Sequence, residues 1–385
     1  MAHVIRFGKR SDFDRDLRKS VDAHFERTGT STAGGWRMWL KTAFLLSSLA
    51  GVVTAFLTLP FSWGLTIGLA VICGLVMAGI GFAVQHDANH GAYSKKKWVN
   101  RLVSCSLDIL GASSYLWQTK HNRIHHAYTN VSHVDDDLDV GKLGRFAPDH
   151  ERLWFHRYQQ FYMWFLYSML TIRWYFDDFV QLKNRRVAER TIKLPRGLDL
   201  AQFLFGKIFF LTWMIILPAI FVGVGPALVF YVLTEMVLGL TLAVIFQLAH
   251  CVESAQFVIP NHEGPTMLEV DFAQHQLAGT VDFARSNRLL TWYVGGLNYQ
   301  VVHHLFPRIS HVHYPAISKI LQEVADRHGV TYRHVPTLRT AIAGHYRSLR
   351  RLGRGDDELA VAGVVEQTGQ PASPTTELPE IAPAA

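Results

Sequence analysis

Seven histidines fall in three tight groups, and their spacing is suited to metal chemistry. His86 and His90 read H-x3-H, His121, His125 and His126 read H-x3-H-H, and Gln300 leads His303 and His304 as Q-x2-H-H. Neutral imidazole is a ligand for iron, copper, nickel and zinc. Seven imidazoles exceed one tetrahedral zinc site, which takes four ligands. The groups therefore ask for two metal ions, or for one ion and a separate site. A spacing of three or four occurs in every group and puts side chains on one face of a helix. On an α-helix His126 would point about 100° away from His125, so the two could serve different metals. His250, at the end of Phe246-Gln-Leu-Ala-His250, is an eighth candidate. Among the nearby carboxylates Asp87, Asp135, Asp136, Asp137 and Asp139, Asp87 is favoured as an orienting partner because it sits between two candidate ligands.

Such groups need a scaffold, and the composition points to a membrane. The chain has 385 residues, 49% hydrophobic and 18% charged, a low charged fraction for a soluble domain. Four apolar stretches, about 41–61, 63–84, 207–223 and 226–246, approach the ~20 residues that cross a bilayer as a helix. They form two pairs with short turns. The predicted architecture is all-α: four transmembrane helices in two hairpins plus interfacial helices, with a cytoplasmic cap carrying a two-metal site. The first stretch lies behind a charged segment, which excludes a cleavable signal peptide. Glu235, the one acid within a span, is expected to hydrogen-bond between spans.

Orientation follows from lysine and arginine. The turns Leu59–Trp63 and Gly223–Pro226 carry neither, whereas the arm before the first span, the central segment and the region after His304 are basic. Both termini and all the histidine groups then share the cytoplasmic side. The net charge of +7 matches anionic headgroups; with four spans present, nucleic acid is not expected as a partner. Residues 1–40 read as a polar cytoplasmic arm, 41–352 as the membrane domain and 353–385 as a disordered tail. Within the central segment, the aromatic run from Trp154 to Tyr167 suits a helix lying at the interface. Cys73, Cys105 and Cys251 are scattered and form no disulfide framework.

These segments resemble the integral-membrane fatty-acid desaturase family over most of residues 40–340. The resemblance rests on His86-Asp-Ala-Asn-His90, Lys120-His-Asn-Arg-Ile-His-His-Ala-Tyr-Thr-Asn130, Phe246-Gln-Leu-Ala-His250, His275-Gln-Leu-Ala-Gly-Thr-Val-Asp-Phe283 and Gly295-Gly-Leu-Asn-Tyr-Gln-Val-Val-His-His-Leu-Phe-Pro307. Gln300 at the head of the third box is similar to the front-end subgroup, which includes delta-6 and linoleoyl-CoA-type enzymes. The resemblance implies an oxygen-dependent oxidoreductase that introduces a cis double bond into an acyl-CoA or membrane lipid chain and reduces O2 to water. It implies two iron ions (Fe2+) held by His86, His90, His121, His125, His126, His250, His303 and His304, with Gln300 at a position that is a ligand in relatives with histidine there. His275 is expected to play an outer or structural part. Many front-end enzymes carry a fused cytochrome b5 domain with a His-Pro-Gly-Gly motif; that motif is missing here. Electrons are therefore expected from a separate ferredoxin or cytochrome b5 with its reductase, as in bacterial members, and the bacterial cell membrane is favoured over the endoplasmic reticulum. Trp117, Trp292 and Tyr293 are candidate tunnel residues. A hydroxylase on the same scaffold would differ by giving an alcohol, and a metal transporter would place ligands within the spans.

Overall fold

The computed structural model describes residues 5–356 except 189, 262 and 263. Of the described residues 67% are helical, and among them are four helices long and apolar enough to cross a membrane: Gly35–Thr58, Trp63–Asn89, Leu198–Val222 and Val224–His250. The first and second helices are separated by a short turn where the Ser62 side chain accepts from the Leu65 amide and caps the second helix. The third and fourth are broken only at Gly223, whose φ of 94° ends one helix and starts the next.

Each of these helices extends beyond the apolar run that announces it. The second continues through His86 and the fourth through Gln247 to His250. Polar residues at those ends are buried against protein, so helix hydrogen bonding continues where apolarity stops. The second and fourth helices pack closely. Gly74 permits this, because a Cβ there would meet the Thr234 carbonyl at 2.6 Å. A hydrogen bond between these helices runs from Thr234 Oγ1 to the Ala70 carbonyl at 3.2 Å. Glu235 does not provide it. The Thr171 hydroxyl, on the helix Leu170–Asn184, donates to the Glu235 carbonyl at 3.1 Å.

From residue 5 onward, the segment before the first long helix is folded against the rest of the protein. Asp12–Thr28 is a helix whose Phe13, Leu17, Val21 and Phe25 are buried, largely against Tyr314–His328. Ile5–Arg6 pairs in parallel with Thr266–Met267, and both the Ser11 amide and hydroxyl donate to Asp271. The start of the chain is thereby fastened to the region after the fourth long helix. At the other end, Leu338–Arg354 is helical, so residues 353–354 belong to the folded part. The tail expected from the composition otherwise lies, from residue 357 on, outside the described residues.

Candidate metal centre

The eight candidate histidines converge, and all are buried. His86, His90, His121 and His303 bring one nitrogen each within 4.8 Å of one another, as do His125, His250 and His304. His126 forms a third set with His303 and His304 and so lies beside both groups. Four separated sequence segments, the three boxes and the one ending at His250, thus build two adjoining nitrogen-rich sites.

Local backbone explains how neighbouring histidines are sorted. Gln118–His125 is a π-helix rather than an α-helix. Its wider turn brings residues i and i+5 together, and the His126 amide donates to the His121 carbonyl at 3.0 Å. His126 is thereby kept close to His121, while His125 and His126 still fall in different ligand sets, as their expected divergence allows. Its Nε2 lies 3.2 Å from His121 Nε2. A second π-helical stretch, Ile80–Gln85, immediately precedes His86. Gly295, with φ 58°, rests on the Phe82 backbone in that stretch. A side chain there would push the third box away from the first. In Gln300–Leu305, the i,i+4 pair Gln300 and His304 faces the second group while His303 faces the first.

Outer partners anchor the ring nitrogens that face away. Asp135 accepts from His125 Nδ1 at 3.0 Å and from the Asn130 amide at 2.9 Å. His303 Nδ1 meets the Tyr314 hydroxyl at 3.1 Å. His304 Nδ1 lies 2.9 Å from Gln276 Oε1 and 3.0 Å from Thr129 Oγ1. Asn130, with φ 55°, reaches the carbonyls of His250 and Gly279 at 3.0 and 2.9 Å. Asp87 serves other partners: its Oδ2 accepts from Ser310 Oγ at 2.7 Å and lies 3.0 Å from His311 Nδ1. His275 joins neither group and packs its ring against Phe7 at 5.2 Å; burial takes it down to about 4. Asp135, Tyr314 and Gln276 are the partners that sequence reasoning did not single out. Only Asp135 had a signal, as one of five nearby acids.

The donor set fits metal ions. His90 Nε2, His125 Nε2, His126 Nδ1 and His303 Nε2 are buried without a hydrogen-bond partner. An orphaned buried polar atom costs about 1–3 kcal/mol, so converging several of them needs a compensating cation. Burial, followed by the charges of neighbouring imidazoles, holds His90, His121, His126, His303 and His304 well below the usual histidine range. They are neutral near pH 7, the form in which imidazole binds metal. His125 differs: burial lowers it, but Asp135, aided by Asp137, outweighs burial and raises it. Gln300 Nε2 lies 3.1 Å from His250 Nε2 and 3.3 Å from His304 Nε2, which places its amide inside the three-histidine group.

A cavity of about 350 Å³ reaches His86, His121 and Gln300. Leu107, Leu110, Leu116, Leu238, Leu242 and Phe246 make much of its wall apolar. Trp117 also lines it and stacks on His121 at 4.3 Å. Trp292 and Tyr293 are not part of that lining; Trp292 packs near Phe44, and the Tyr293 hydroxyl donates to the Leu75 carbonyl. Lys120, Asp136, Asp137, Asp139, Arg173 and Asp177 add charge to the same lining, and Asp137 lies close enough to His121 and His125 to form a further ligand set with them.

A helical membrane scaffold with clustered imidazoles at the end of an apolar cavity defines a membrane-bound metal-dependent oxidoreductase of aliphatic chains. Residues 61–336 match the fatty acid desaturase family, and the chain belongs to it. It is 37% identical over 93% of its length to the sn-1 linoleoyl-lipid 6-desaturase of Arthrospira platensis, covering 97% of that protein. It is 34% identical to the sn-1 linoleoyl-lipid 6-desaturase of a Synechocystis strain, covering 92% of the chain and 99% of the relative. An acyl-lipid (8-3)-desaturase of Physcomitrium patens is 33% identical over 89% of the chain and 72% of the relative. The chain is a fatty-acyl desaturase, and its histidine groups could hold the metal on which the family depends.

Proposed function

We propose that this chain is an O2-dependent acyl-lipid desaturase that places a cis double bond at the 6-position of a polyunsaturated chain. The observation that carries this reading is the pair of histidine groups at the end of the apolar cavity. The regiochemistry and the lipid-borne substrate rest on the two cyanobacterial relatives matched almost end to end. His86, His90, His121 and His303 would hold one iron, His125, His250 and His304 the other, with His126 beside both and the Gln300 amide at the second. A bound metal pair supplies, with O2 and two electrons, the oxidising power to remove two hydrogens from an unactivated chain. The protein's own residues do the positioning. The leucines and Phe246 exclude water and hold the methylenes extended. Trp117 braces His121, and the charged residues of the lining suit a polar headgroup. Asp135 and Tyr314 fix the rings of His125 and His303.

The electron donor is a separate protein, a ferredoxin or cytochrome b5. The histidine groups lie on the cytoplasmic face of the bacterial cell membrane. Exposed Trp154, Phe161 and Phe165 suit the headgroup level.

The test is expression in a host that lacks the product, fed linoleate, with mass spectrometry of the extracted lipids. One added double bond is expected at position 6, dependent on air and absent in His303→Ala. A hydroxylated chain would overturn the desaturase reading, and a double bond elsewhere the regiochemistry. An active preparation holding zinc without iron would exclude the di-iron assignment.

A further inference from the structure

A second set of potential ligands lies outside the histidine-rich centre, on the loop that follows the second box. His133, Asp149 and His150 bring three ligand atoms within 4.8 Å of one another. His133 Nε2 is 3.0 Å from Asp149 Oδ2. The rings of His133 and His150 are 5.1 Å apart and tilted by 45°. Ser132 Oγ donates to Asp149 Oδ1 at 2.7 Å, which fixes one carboxylate oxygen while the other faces His133. Outer hydrogen bonds of this kind orient carboxylate ligands. Neighbouring space is open and acidic. A cavity of about 410 Å³ is lined by His133 and His150 together with Asp135, Asp136, Asp139 and Glu151, against a single lysine, Lys142.

We propose that His133, Asp149 and His150 form a separate metal site that takes one zinc ion. Two imidazoles and a carboxylate are a zinc donor set, and three protein ligands leave a fourth position for water, here supplied from the cavity. Binding requires an unprotonated His133 Nε2. With the metal bound, the neutral ring carries its proton on Nδ1 and offers the Nε2 lone pair. None of these residues belongs to the two histidine groups of the centre, so the inference does not depend on the proposed reaction.

The site has a structural consequence. His133 lies two residues before Asp135, the carboxylate that holds His125 Nδ1 and the Asn130 amide. His133 itself keeps a φ of 58°, uncommon for a residue with a side chain. A cation joining His133 to Asp149 and His150 would brace the loop that carries this anchor. Zinc at this position acts as a clamp on the second box.

The test uses the full-length, iron-loaded protein in detergent, equilibrated with micromolar zinc and desalted, with zinc and iron counted in the same sample. The parent should retain about one zinc more per chain than the double variant His133→Asn/His150→Gln, at equal iron content. Zinc should raise the unfolding midpoint of the parent and leave that of the variant unmoved. His133 is half-exposed, so these changes spare the core; Asp149→Asn provides an independent repeat. Equal zinc in parent and variants, or zinc gained only as iron is lost, overturns the proposal.

Discussion

At the residue scale, a carboxylate's effect on a ligand depends on which nitrogen it touches. Asp87 is covalently between two cluster histidines, yet its hydrogen bonds go to Ser310 and His311. Asp135 is nine and ten residues from the nearest cluster histidines, but it bonds a cluster ring directly. Removing such an outer partner typically costs 10–100-fold in metal affinity or activity. Asp135→Ala should therefore lower retained iron and turnover by about that factor, measured by metal analysis and product formation. Asp87→Asn should act differently. It weakens a buried contact to His311, which in turn meets Lys41 Nζ at 3.1 Å, so the expected loss is in unfolding temperature, with iron content kept. If Asp87→Asn emptied the metal centre and Asp135→Ala did not, the roles assigned here would be reversed.

At the scale of elements, much was legible before any coordinates. The histidine boxes are local patterns, and each lands in the centre. The four apolar runs each become a long helix, although their polar ends are hidden because burial against protein replaces apolarity. Two things were not legible. The π-helical turn of Gln118–His125 breaks the 3.6-residue period on which helical-face arguments rest, so the partnership of His121 with His126 could not be derived. The packing of Asp12–Thr28 depends on contacts some three hundred residues away, although Phe13, Leu17, Val21 and Phe25 already show the i,i+4 spacing of a buried face. The third box has a comparable long-range support. Asp282 accepts from the Val301 amide at 2.9 Å and from the Tyr332 hydroxyl, and burial, opposed by those hydrogen bonds, raises it to about 7. An acid raised in the folded state binds more protons there than when unfolded. Stability is then highest near and below the unfolded value of about 4 and falls as pH rises through 7. Unfolding midpoints should decline across that window, and Asp282→Asn should flatten the decline. A slope unchanged in the variant would place its origin elsewhere.

At the scale of the whole molecule, the four long helices, the cavity and the histidine groups form one device. On the proposed reading, an acyl chain runs along the apolar walls of the cavity to reach the groups. Ala243 lines that cavity from the fourth long helix. Ala243→Phe should block part of it and lower turnover of long chains at least tenfold, while iron content holds; overpacking of this kind typically costs about 1–3 kcal/mol in stability, so metal content and unfolding are read together with activity. Loss of iron along with activity would mean that the wall and the centre had not been separated. On the proposed reading the histidine groups share the side on which reduced donors are found. His86 and His250 sit at the ends of the second and fourth long helices, and the two basic-free turns sit at the opposite ends. Because lysine and arginine retain loops in the cytoplasm, a periplasmic-only reporter inserted after Leu59 should be active and one fused after Arg354 silent. A cytoplasmic reporter should give the opposite pattern. Equal signals at both positions would break the two-hairpin topology, and reversed signals would place the centre on the outer face, away from cytoplasmic electron donors.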